Sequence, residues 1–262
     1  MQEQKSRRRL IVVGDVHGHF EPFVKILQQA GLVDSRLNWS GARERLLQMG
    51  DIFDRGPAAK ETDILLDKLQ LQAQEAGGEV IRLVGNHELE MMLSQFEMSG
   101  LQGVEAIHRR DKLNKQVLGG QLRAAYAYKG FLFTHAGVTA RLFKIFRMQL
   151  EDATAANVAA LINLIFKESV KHQFFKHPIF NISLNRNGTN KFGGIFWEDL
   201  TDLVQSFTSS PVWQVIGHTP VNHILIDPVS RLIPVDVGLQ RRMQYLIINE
   251  AGEPSIQEVL PR

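Results

Sequence analysis

Three short motifs in the first third of the chain concentrate residues able to hold metal ions. They read Gly14-Asp15-Val16-His17-Gly18, Gly50-Asp51-Ile52-Phe53-Asp54-Arg55-Gly56 and Gly85-Asn86-His87-Glu88. Two further histidines stand in similar settings, His135 before Ala136-Gly137 and His218 before Thr219-Pro220. Imidazole nitrogens mixed with hard oxygen donors suit zinc, manganese and iron better than calcium or magnesium. The donors outnumber what one ion takes. Asp15, His17, Asp51, Asn86, His135 and His218 could hold two ions, with a single aspartate bridging. Each motif alone is weak, since Gly-Asp and Gly-Asn are common turn pairs and a lone histidine is usually a polar core or surface residue. Their weight comes from recurrence in one kind of place.

That place is the end of a short apolar run. Leu10–Val13, Leu46–Met49, Val80–Val84, Phe131–Thr134 and Val215-Ile216 each lead straight into one of the motifs. Apolar runs of this length ending near glycine read as buried strands. Between the first two, Phe20, Phe23, Val24, Ile26 and Leu27 keep helical spacing and Gly31 closes the segment. Ile64, Leu65, Leu69 and Leu71 do the same in a helix opened by Pro57 and closed by Gly77-Gly78. Alternating strand and helix predicts an α/β fold with a largely parallel sheet, whose ligands bind beyond the carboxyl ends of the strands. Helices are expected at Leu89–Phe96, Gln116–Tyr128 and, most strongly, Asn157–Val170, and a loop at Asn181–Gly194. Short runs at Val212–Ile216, Ile224–Ile226, Leu232–Val235 and Tyr245–Ile248 predict a second, mostly antiparallel sheet. No linker or low-complexity tract interrupts the chain, so residues 1–262 read as one domain.

Composition narrows the chemistry. The 262 residues include no cysteine, which excludes disulfides, thiolate metal sites and cysteine nucleophiles. Thirty basic residues against 28 acidic ones leave +2, too even to argue for a nucleic-acid or membrane partner. No run reaches the ~18 apolar residues of a membrane span. Leu10–Val13 is too short for a signal core, so the start reads as that of a cytoplasmic chain. His172, His177 and His108 read as ordinary helix or surface residues, Phe174 and Phe175 as packing residues, and Arg7–Arg9 as a solvated tail. His19 and His223 are neighbours of the motifs that could support them.

The three opening motifs, with His135-Ala136-Gly137 and Gly217-His218-Thr219-Pro220, resemble those of calcineurin-like metallophosphoesterases of the phosphoprotein phosphatase type. Trp39-Ser40-Gly41, Leu47-Gln48-Met49-Gly50-Asp51 and Leu83-Val84-Gly85-Asn86-His87-Glu88 resemble the bacterial and plant subgroup called Shewanella-like protein phosphatases. The resemblance is dense over residues 10–90 and thins to islands at 131–138, 193–199, 214–220 and 235–238. It implies a metallophosphoesterase sandwich: two mixed β-sheets flanked by helices, with a helical insert between about 95 and 180 walling the cleft. It implies that Asp15, His17 and Asp51 bind one ion, and that Asp51, Asn86, His135 and His218 bind a second. The ions, manganese or else iron or zinc, would activate a bridging water for in-line attack on a phosphomonoester. His87 would protonate the leaving oxygen, Asp54 would orient His87, and Arg55 would clamp the phosphate. The implied substrate is a phosphorylated protein or peptide, at tyrosine, serine or threonine. A hydrolase of dinucleoside polyphosphates on the same scaffold is the rival reading, and a metal-binding regulatory module without turnover is a more distant one.

The chain departs from this pattern at two points. Trp197 is followed by Glu198 and Asp199, where the subgroup tends to carry a second phosphate-clamping arginine. Arg186 and Arg241 are the candidates to replace it. The alternative, favoured by the sequence, is that an aryl ring of phosphotyrosine packed on the helical wall does the positioning. The second departure, Ala136 where the family has glycine, adds only a methyl group.

Overall fold

A computed structural model of the protein describes residues 8–93 and 103–260. Among these residues, ten strands form two mixed sheets flanked by seven α-helices. The first sheet contains β1 (Leu10–Val13), β2 (Arg45–Gln48), β3 (Glu79–Leu83) and β4 (Leu122–Arg123), all parallel. The second contains β5 (Ala125–Tyr128), β6 (Phe131–Thr134), β7 (Trp213–Ile216) and β8 (Leu232–Pro234), of which the last three are parallel. The first sheet is completed by β9 (Gln244–Ile248), antiparallel to β1, and by β10 (Pro254–Glu258) at its edge. Apolar residues of both sheets and the helices form one main core, with a small separate cluster of Leu203, Ile216 and Leu232.

The βαβ reading of the first 90 residues holds. α1 (Phe20–Gln29) joins β1 to β2, and α2 (Ala59–Glu75) joins β2 to β3. β1 is buried along its whole length, as expected of a strand covered on both faces. The last residues of the expected helix Leu89–Phe96 lie outside the described residues; the described part belongs to α3 (Asn86–Met92).

Three expectations are corrected. The later strands do not build an antiparallel sheet of their own: β7 and β8 extend β6 in parallel, and Tyr245–Ile248 crosses to pair with β1. Every residue of β9 is buried, so its pattern carries no polar face to show which sheet receives it. Ile224–Ile226 forms no strand, and the backbone N–H of Ile224 donates instead to Gln244 Oε1 at 2.9 Å. The expected helix Gln116–Tyr128 is broken: only its first three residues are helical. α4 (Gly103–Leu118) stops at Gly119-Gly120, where Gly120 has φ of +81°, and β4 and β5 follow. The region between 95 and 180 is therefore helical only in part; α5 (Ala140–Arg147) and α6 (Ala155–His172) follow β6. Among the described residues no helix is long and apolar enough to cross a membrane.

A buried ion network ties α4 to the first sheet. Arg82 on β3 is 1% exposed and pairs with Asp63 at 2.7 Å and Asp67 at 2.6 Å on α2. Lys112 on α4 bonds the same two carboxylates. One turn earlier, the Arg109 guanidinium lies 4.5 Å from the centre of the Phe53 ring. The loop carrying Asp51 to Arg55 is thereby held under α4.

Candidate metal centre

Five strand ends converge at one edge of the two sheets. β1 delivers Asp15 and His17, β2 delivers Asp51, and β3 delivers Asn86 and His87 at the start of α3. β6 delivers His135 and β7 delivers His218. All seven are buried, and Asp51 lies at the centre. Its Oδ2 is 3.5 Å from His135 Nε2, 3.6 Å from His17 Nε2 and 3.8 Å from His87 Nε2. Asn86 Oδ1 lies 3.0 Å from His135 Nε2 and 2.8 Å from His218 Nδ1. Two clusters of donor atoms result, one of His17, Asp51 and His87 and one of Asp51, His135 and His218.

Backbone carbonyls decide what those nitrogens offer. His17 Nδ1 donates to Phe53 O at 2.9 Å, and His135 Nδ1 donates to Met49 O at 2.9 Å. In the neutral tautomers this fixes, each Nε2 carries a bare lone pair. Unless it is protonated, His135 Nε2 then faces two oxygens, Asp51 Oδ2 and Asn86 Oδ1, with nothing to donate between them. Lone pairs aimed at buried acceptors repel unless a proton or a cation sits among them. Donors around a tetrahedral ion with ~2.1 Å bonds stand about 3.4 Å apart, close to the Asp51 separations. A carbonyl-held Nδ1–H with a free Nε2 is also the usual arrangement behind a metal-ligating histidine. Buried His218 Nε2 has no hydrogen-bond partner among the described residues. These residues fit divalent ions.

The electrostatics say the same. Burial pushes the Asp15 carboxyl well above the usual range, and the neighbouring Asp236 carboxylate adds to it. Burial would raise Asp51 too, but His135, His87 and His17 outweigh it and hold Asp51 well below. Burial works against a charged His135, yet Asp51 and Asp15 lift it to about 10, whereas burial takes His17 down to about 4. Buried carboxylates facing one another call for positive charge.

The remaining groups ring this centre. His87 Nδ1 is 2.6 Å from Asp54 Oδ2, and the His87 backbone N–H donates to Asp51 Oδ1 at 3.0 Å. Burial disfavours the His87 cation, but Asp54 and Asp51 outweigh it and the imidazole titrates above its ordinary value. Glu88 holds the Asp51 loop: its carboxylate accepts the N–H groups of Gly85, Asp51 and Ile52 at 2.7, 2.8 and 2.9 Å. Its position three residues after Gly85, in a capping box, is the sequence signal for that role. Arg55 is exposed and makes no hydrogen bond or ion pair among the described residues. Arg186 stands beside His218, whose pKa it helps to lower after burial and His135. Its Nη2 donates to Thr219 Oγ1 at 2.6 Å and pairs with Asp199 at 3.0 Å. Arg241 is exposed beside Gly238; His223 is exposed and His172 pairs with Glu168 on the surface, so neither histidine belongs to the centre. His19 is half-buried near Arg55.

The backbone is bent to make these contacts. Among the described residues, five of the eleven non-glycine residues with positive φ are His17, Asp51, Asp54, Arg55 and His218. Such a conformation costs roughly 1–2 kcal/mol for an L-residue, so the fold holds these side chains against local preference. Two glycines make room. A Cβ on Gly85 would lie 2.1 Å from Asp51 Oδ1, and one on Gly217 would lie 2.3 Å from Asp15 Oδ1. Two further buried acids have no role assigned from the sequence: Glu90, pushed by burial to about 7, and Asp236, which lies in the 235–238 island of the resemblance.

Residues 8–232 match the family model for calcineurin-like phosphoesterases. The chain belongs to that family. Among curated relatives, it is 35% identical over 97 residues to Shewanella-like protein phosphatase 2 of Arabidopsis thaliana, covering 37% of this chain and 25% of that protein. It is 29% identical over 141 residues to Shewanella-like protein phosphatase 1 of Plasmodium berghei, covering 54% and 36%. The matched stretches thus span well under half the length of these relatives. A symmetrical bis(5'-nucleosyl)-tetraphosphatase of Delftia acidovorans is 30% identical over 104 residues, covering 40% and 30%. Among solved structures, a cold-active protein-tyrosine phosphatase of a psychrophilic Shewanella superposes with a TM-score of 0.61 at 18% identity, covering 95% of this chain and 80% of that one. A Saccharomyces cerevisiae protein serine/threonine phosphatase gives 0.53 at 14% identity, covering 99% and 82%. The structural likenesses bear out the sandwich fold, and the family match bears out the resemblance read from the motifs.

Proposed function

We propose that this calcineurin-like phosphoesterase is a two-metal phosphomonoesterase acting on phosphorylated protein side chains, with residues 1–262 as one catalytic domain. The observation that carries the reading is the Asp51 carboxylate, its Oδ2 within 3.5 and 3.6 Å of the His135 and His17 nitrogens. Asp15, His17 and Asp51 would hold one ion; Asp51, Asn86, His135 and His218 would hold the other. The donor set suits manganese, with iron and zinc as alternatives. Bound there, the ions supply an activated water and neutralise phosphate charge.

The chain's own groups do the rest. Arg55, unencumbered at the rim, takes phosphate oxygens in its planar fork. Arg186, beside His218, serves as the second clamp. Its place there favours that role over positioning by an aryl ring, the option the sequence favoured. The His87 imidazolium, oriented through Nδ1 by Asp54, gives its Nε2 proton to the leaving oxygen as the P–O bond breaks and the water oxygen bonds to phosphorus. Phosphate and the free side-chain hydroxyl are the products.

Names of the curated relatives support protein substrates, and the Delftia relative keeps dinucleoside polyphosphates as the rival. Phosphotyrosine, phosphoserine and phosphothreonine peptides and diadenosine tetraphosphate, assayed side by side with Mn2+, separate the two. The proposal expects kcat/KM to favour the peptides, at rates within about tenfold between phosphotyrosine and phosphoserine. A preference for the dinucleotide would refute it.

A further inference from the structure

A sixth strand end reaches the same edge. β8 ends at Pro234, and the Val235 N–H donates to Ile216 O at 2.7 Å, so the chain still runs beside β7 as it enters Asp236. Asp236 is 2% exposed. Its backbone abuts Gly14: a Cβ there would lie 2.4 Å from Val235 O and 3.1 Å from Asp236 Cα. Asp236 Oδ1 accepts the Gly238 N–H at 2.9 Å, the one hydrogen bond its carboxylate makes among the described residues. The other oxygen is uncommitted.

Three acids at 1–2% exposure thus share one edge: Asp15, Asp51 and Asp236. The Asp236 backbone packs against Gly14, the residue just before Asp15, which brings its side chain into the neighbourhood of Asp15. Buried like charges need a cation among them. On the two-metal reading, the second position has four protein donors and the first only three, Asp15, His17 and Asp51. The neighbour of Asp15 is Asp236.

We propose that Asp236 is a further anionic anchor of the divalent ion held at Asp15 and His17. The proposal rests on the two-metal reading and adds to it a residue outside the motifs that define the centre. Asp236 plays no part in holding His87 or the phosphate.

The test is Mn2+ titration of chelator-stripped protein by calorimetry, comparing wild type with Asp236→Asn. Asparagine keeps an oxygen to accept the Gly238 N–H. The wild type should take two ions. The variant should hold one at wild-type affinity and the other about 10–100-fold more weakly, the usual cost of losing a group that supports a metal site. Without metal, the variant should melt no lower than wild type, because asparagine keeps the bond to Gly238 and replaces a buried acid by a neutral group. Two wild-type affinities in the variant would overturn the proposal. A variant that melts lower without metal, or does not fold, would assign Asp236 a structural role and overturn it too. A wild type that takes up no Mn2+ would overturn the two-metal reading, and this inference with it.

Discussion

Replacing Asp54 by asparagine removes a charge while keeping the size of the side chain. Asp54 Oδ2 is 2.6 Å from His87 Nδ1, and the two side chains are only 11% and 7% exposed. A charge-assisted hydrogen bond in such a place contributes about 1.5–3 kcal/mol to the imidazolium. If that imidazolium is the proton donor in the rate-limiting step, kcat/KM for a phosphoserine peptide should fall by roughly 10- to 150-fold. The loss should stay below that of His87→Asn, expected at about 10²–10⁴-fold, because Asp51 still supports the cation from 3.8 Å. The assay is steady-state hydrolysis of phosphoserine peptide and p-nitrophenyl phosphate by both variants and their double mutant, with metal content measured on the same samples. p-Nitrophenolate leaves without a proton, so its rates should fall far less. The double mutant should match His87→Asn alone, because Asp54 acts through His87. Equal losses on the two substrates, or a double mutant slower by the product of the single effects, would refute the assignment.

Arg186→Ala should lower kcat/KM for all phosphomonoesters alike by about tenfold or more, the worth of one charged hydrogen bond to phosphate; unchanged rates, with phosphotyrosine peptides far ahead of phosphoserine ones, would restore the aryl-ring explanation. Asp63→Ala should destabilise the fold by about 3 kcal/mol at pH 7, since it leaves Arg82 partly unpaired in the core. Burial pushes the Asp63 carboxyl up, but Arg82 and Lys112 outweigh it and hold it below its ordinary value. The pair's contribution is therefore complete above the unfolded carboxylate pKa and lost as pH falls through the folded one. Urea melts at pH 7 and pH 3 should show the gap between wild type and variant closing in acid; a gap of constant size would contradict this account of the network.

The site is more legible in the sequence than the fold around it, and for a physical reason. Parallel strands covered on both faces leave continuous apolar runs, and the residues just after such a run lie at the ligand edge. That rule brings Asp15, Asp51, Asn86, His135 and His218 to one edge, where the structure places them. It also reaches Asp236, between the run Leu232–Val235 and Val237-Gly238, a residue inside the family resemblance to which the resemblance assigns no role. The same lack of a polar face hides the partner of β9. At Gly119-Gly120 the breaker signal is present, and the apolar spacing beyond it reads as helix although Leu122-Arg123 and Ala125–Tyr128 are strands. The left-handed backbone at His17, Asp51 and His218 leaves no mark in residue type, because the tertiary contacts that impose it lie up to two hundred residues away. One example is the His218 N–H, which donates to Asp15 Oδ1 and Oδ2 at 3.2 and 3.1 Å.

The central claim is that Asp51 joins two metal ions into one catalytic centre. Metal content and phosphopeptide hydrolysis, measured together during stepwise Mn2+ reconstitution of chelator-stripped wild type and Asp51→Asn, test it most directly. The account predicts no activity without metal, two ions per chain at full activity in the wild type, and joint loss of metal and activity in the variant. Hydrolysis that survives complete metal removal, or an Asp51→Asn protein with two ions and full activity, would contradict it.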